Sequence, residues 1–135
     1  MHHYSAACVQ AARDEIAAQI RSYRDLVGAA SKASGMSLTR IDAALAAFEP
    51  AFFNNLLLAL ELRFVHRPPG DAADAPNEVR LLAAALANDG GVLAADIPGG
   101  SLLGLGAGDR VALNADDFET LCAAFLAAIE RRADA

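Results

Sequence analysis

In one otherwise apolar stretch of the chain, Asn54, Asn55, Glu61, Arg63, His66 and Arg67 stand among leucines and phenylalanines. Across a proline-rich loop they are followed by Asn77, Glu78 and Arg80. His66 and Glu78 have the residue types of an acid–base pair, although no nucleophile stands at the spacing catalysis would need. A milder use of the same groups is recognition. His66, Glu78 and Asn55 or Asn77 would then line a small pocket for an anionic or amide-bearing ligand, gripped by Arg67 and Arg80. The architectural reading, which we prefer, uses them to bond helix ends and neighbouring carbonyls, with His66 and Arg67 supporting a helix C-terminus. Glu61, His66 and Glu78 are also metal-donor types, but the Glu-x-x-His pairs of di-iron bundles are absent. No metal is expected, and no cofactor is implied.

Two other patterns carry less. Gly104, Gly106 and Gly108 are spaced like part of a nucleotide loop, but Asp109 stands where the dinucleotide pattern wants glycine. A strand is also expected after them, where that pattern requires a helix, so they read as a hairpin turn. Residues 33–47 resemble the turn and second helix of a helix-turn-helix. That helix offers only Thr39, Arg40 and Asp42 among alanines, too little for base and phosphate contacts, and it reads as a core helix.

Helices must hold these residues in place. Val9, Ala12, Ile16, Ile20, Tyr23 and Val27 recur at three- and four-residue steps and predict a first helix over 6–30. Turn-forming residues over 31–35 end it. Ser37 is placed to cap a second helix over 38–48, with Ile41, Leu45 and Phe48 inward. Pro50 is expected to interrupt that helix, because proline disfavours the helical region at the residue before it. A third helix over 51–66 is apolar on nearly every side, which predicts that it is central and buried all round. On it Asn55, Leu62 and His66 share a face, and Asn54 and Glu61 share a neighbouring one. Buried there, each polar group must find a partner or cost about 1–3 kcal/mol. Pro76 opens a fourth helix that stops at Asn88-Asp89-Gly90-Gly91. Residues 101–105 and 110–113 are then expected to pair as a β-hairpin. Asn114 caps a last helix over 115–131, with Asp117 completing a capping box.

The 135 residues fit a single domain, with the first five expected to be flexible. The 33 alanines and 18 leucines favour close-packed helices. A net charge of −6 argues against nucleic acid as a partner. No uninterrupted apolar run reaches membrane-spanning length, and the N-terminus lacks the pattern of a secretory signal. Cys8 and Cys122 are widely separated and read as small buried groups in a reducing cytoplasm. A core poor in large side chains favours a partner that buries more area, so a homodimer is expected.

The strings Phe52-Phe53-Asn54-Asn55, Phe64-Val65-His66-Arg67 and Asn77-Glu78-Val79-Arg80 resemble a family of uncharacterised helical proteins common in actinobacteria. The likeness spans roughly 48–130, including Leu103-Gly104-Leu105 and Gly108-Asp109-Arg110. It implies a shared fold and no particular activity. The loop over 68–76 departs from that pattern in being shorter and richer in proline. These readings combine into a mainly α fold, a five-helix antiparallel bundle with a small β-hairpin before the last helix. The expected role is a bacterial, cytoplasmic, non-enzymatic module for interaction or small-ligand binding. Its ligand-binding candidates are Asn54, Asn55, Glu61, His66, Arg67, Asn77, Glu78 and Arg80. The alternative is a small enzyme or metal-dependent protein centred on His66 and Glu78.

Overall fold

The computed structural model describes residues 3–32 and 37–133, with the side chains of residues 37, 38 and 133 left aside. It is mainly helical, and the described residues form four helices rather than five: α1 (Ala6–Ser31), α2 (Ser37–Arg63), α3 (Ala75–Asn88) and α4 (Ala115–Ala133). One cluster of buried side chains draws on all four.

Helix α1 follows its sequence stripe, burying Val9, Ala12, Ile16, Ile20 and Tyr23. Contacts are also made just ahead of it. The Ser5 hydroxyl accepts the Cys8 N–H at 3.1 Å, and the Tyr4 ring meets Phe64 edge-on at 4.8 Å. Met1 and His2 lie outside the described residues, as does most of the turn expected over 31–35; the side chain of Ser37, the expected cap, is also undescribed.

Pro50 does not divide α2, and the two helices expected on either side of it are one. Proline removes the hydrogen bond to the Ala46 carbonyl, but packing holds the flanking turns. Phe48, Phe52 and Tyr23 stack, and Phe53 meets Tyr23 edge-on at 4.9 Å. The larger correction concerns burial. Only one side of α2 is buried, through Phe53, Leu57 and Leu60, continued by Phe64 just beyond it. The opposite side is open, with Leu62 72% exposed and Phe48 43% exposed. Ile41 and Leu45, expected inward, are half-buried. By length and composition Thr39–Arg63 could cross a membrane, yet its phenylalanines and leucines on the inner side belong to the shared core.

Helices α3 and α4 match the expected signals. Asp74 caps α3 by accepting the Asn77 N–H, and proline sits in its first turn. At its end Gly90 and Gly91 have φ of 65° and 83°, letting the Gly91 N–H reach back to the Ala85 carbonyl at 2.9 Å. Asn114 and Asp117 bond reciprocally at the start of α4, at 2.7 and 3.4 Å.

The expected hairpin does not form. The described residues contain no strand, only an isolated antiparallel bridge between Val92 and Arg110. Residues 110–113 therefore meet the segment just after α3 rather than residues 101–105. The reason is a long-range competitor: the Ser101 hydroxyl and the Leu102 N–H are taken by Glu78 instead.

Candidate functional site

The polar residues of mid-chain separate into three groups. The first is an arginine-centred cluster. Arg67, 4% exposed, donates to the Phe64 carbonyl at 3.0 Å and the Pro76 carbonyl at 2.7 Å. It also donates to Glu61 at 2.6 Å, and its guanidinium lies 5.1 Å from the centre of the Phe125 ring. Arg80 reaches the other Glu61 oxygen at 3.6 Å. One buried side chain thus ties the end of α2 to the start of α3 and the middle of α4. Burial lowers the Arg67 pKa, and the Glu61 bond opposes that shift.

A cavity of about 150 Å³ lies beside this cluster, lined by Arg67, Asn77, Arg80 and Arg132 with the loop after α2. Arg132 ion-pairs with Asp74 and donates to the Pro68 carbonyl at 3.1 Å. The Asn77 side chain donates to the Ala72 carbonyl at 2.6 Å, holding the loop's own turn. Arg132 and Asp74 were missed by sequence reasoning. Their signals were a basic last turn of α4 and an acid before Ala75-Pro76, neither of which announces a partner. The loop also presses on Gly99, where φ is +76° and an added Cβ would stand 2.5 Å from that of Ala73.

The second group serves the irregular segments. Asn54 donates to the Val111 carbonyl at 3.0 Å and accepts the Leu113 N–H at 3.2 Å. Its amide thereby does what a neighbouring strand would have done. Glu78 is 2% exposed and accepts from the Ser101 hydroxyl at 2.6 Å and the Leu102 N–H at 3.0 Å.

The third group faces outward. Asn55 and His66 are exposed, against the expectation of a buried pocket wall. The backbone N–H of His66 donates to the Tyr4 hydroxyl at 3.2 Å, so its ring is not what anchors it. Glu78 is committed to the 101–102 turn, and no acid–base pair with His66 is assembled. Among the described residues no three His, Cys, Asp or Glu side chains come together as metal ligands.

A larger concavity of about 410 Å³ runs between α1 and α4, with Ile16, Ile20, Cys122 and Leu126 in its lining and Arg13 and Arg24 at its rim. Those arginines pair with Glu130, Asp116 and Glu119. Burial pushes the Cys122 thiol up to about 12, leaving it protonated at neutral pH and a poor nucleophile. Cys8 and Cys122 are both free thiols.

No known protein family, curated protein or solved structure matches the chain.

Proposed function

We propose that the protein is a non-enzymatic bacterial interaction module working in the cytoplasm through the outward side of α2. The observation that carries this reading is the chemistry of that side. Phe48, Leu62 and Val65 are 43%, 72% and 43% exposed, and Ala44, Ala51, Asn55 and Ala59 are exposed beside them. Fully burying one such side chain is worth roughly 1.5–3 kcal/mol, and a contact covering what is still exposed would gain a part of that at each. A strip of this kind, apolar but for Asn55, reads as a contact surface. The mid-chain residues Asn54, Glu61, Arg67 and Glu78, by contrast, are engaged in holding the fold, which supports a role without chemistry. The motif resemblance is consistent with this reading, since it implies a fold and no activity.

A second reading, binding of a small anion, is favoured by one observation. Three guanidinium groups face the cavity at 68–76, against the carboxylates Glu61 and Asp74. A single experiment separates the two. A hydrophobic fluorescent dye is titrated into dilute wild type and Leu62→Glu, and thermal unfolding is followed with and without inorganic phosphate. The interaction reading expects dye binding to fall severalfold in Leu62→Glu and phosphate to leave the melting point unchanged. Equal dye binding by both proteins would overturn it. A melting point raised by phosphate in wild type but not in Arg80→Ala would favour the anion site.

A further inference from the structure

The outward strip of α2 has a second regularity. With Phe48, Asn55 and Leu62 at a positions of a heptad, Ala44, Ala51, Leu58 and Val65 fall at d. The core-facing residues Phe53, Leu57, Leu60 and Phe64 occupy c and f, so one helix carries two seams on opposite sides. Pro50 also lies at c, away from the outer seam. The charged residues within this stretch are Glu49, Glu61 and Arg63, and all three are engaged by the fold, Arg63 through an ion pair with Glu15 of α1. Glu49 accepts the Ala115 N–H at 3.3 Å, and Glu61 is held by Arg67 at 2.6 Å. The outer seam is therefore uncharged from Ala44 to Val65, on a chain whose net charge is −6.

We propose that the occupant of this seam is a second copy of the chain, with the two α2 helices parallel and Asn55 facing Asn55 across the two-fold axis. This rests on the interaction reading above and names its partner. Three observations favour a second copy. Asn55 is the one polar member of the seam, and a lone asparagine at an a position satisfies itself only against its own image, in register. A lipid surface would strand that amide in hydrocarbon, and an anionic one would repel a chain of charge −6. The strip is also of a size for weak self-association. From Ala44 to Arg63 it runs about 30 Å along the helix, and at about 10 Å width its flat footprint is roughly 300 Å² per protomer. The two footprints together fall below the roughly 1,200 Å² of a standard specific interface, as in transient encounters, so the pair is a weak dimer.

Sedimentation velocity of the full chain from about 1 to about 500 µM tests this. Wild type is expected to pass from monomer to dimer over that range. Leu62→Glu, whose side chain is exposed, is expected to remain folded by circular dichroism and monomeric throughout. Asn55→Leu is expected to associate at least tenfold more tightly and to form species larger than dimers, because the polar key to register is gone. Dimerisation of Leu62→Glu as strong as wild type would overturn the proposal. So would weaker association by Asn55→Leu, or binding of wild type to phosphatidylcholine–phosphatidylglycerol vesicles in place of dimer formation. A wild type that stays monomeric to the highest concentration overturns the second copy alone if its dye binding still depends on Leu62. If that dependence is absent too, the interaction reading falls with it.

Discussion

At the scale of single residues, neighbouring polar side chains of the same stretch have opposite fates. Arg67 is enclosed and bonded to Glu61 and two carbonyls, while His66 beside it is exposed. Removing Arg67 leaves Glu61 with only the longer Arg80 contact and takes one hydrogen bond from each of the Phe64 and Pro76 carbonyls. Arg67→Met is therefore expected to destabilise by about 3–5 kcal/mol, against less than about 0.5 kcal/mol for His66→Ala. Urea unfolding of the two variants checks this, and equal effects would contradict the assignment. The sequence made this stretch visible, because asparagine, glutamate and arginine are conspicuous among leucines. It did not distinguish inward from outward, since a one-residue step turns a helix by about 100°. Asn54 and Asn55 show the consequence: the first fastens Val111 and Leu113, and the second faces solvent.

At the scale of elements, α3 and α4 were readable because their ends carry local chemistry: Pro76 in the first turn, the Gly90-Gly91 stop, and the Asn114–Asp117 box. Long-range competition decided the rest. The hairpin expected from turn residues lost Ser101 and Leu102 to Glu78, a contact far away in sequence. Pro50 looked like a boundary, but aromatic stacking around Phe48, Phe52 and Tyr23 carries the helix through it. If packing is the cause, Pro50→Ala restores a backbone donor in an element that is already helical. Its stability is expected to rise by about 1–2 kcal/mol, after allowing for the greater freedom of the unfolded chain. Thermal unfolding measures this directly, and a loss of stability would show that the proline itself shapes α2.

For the molecule as a whole, the abundance of alanine correctly indicated helices but misled about the centre. An all-apolar helix was expected to be surrounded. With only four helices, α1, α3 and α4 cover one side of α2 and leave the other open, with Leu62 72% exposed. The fold thus separates two kinds of surface: arginine, glutamate and asparagine side chains fasten the interior, and the outer side of α2 stays open. The most direct test of this two-sided helix is the reactivity of cysteines placed on its two sides in dilute full-length protein. Thiols at Leu62→Cys and Asn55→Cys are predicted to react with a maleimide at rates near those of a free thiol. A thiol at Leu57→Cys, in folded protein, is predicted to react at least about 100-fold more slowly. Protection of Leu62→Cys in the monomer equal to that of Leu57→Cys would contradict the account.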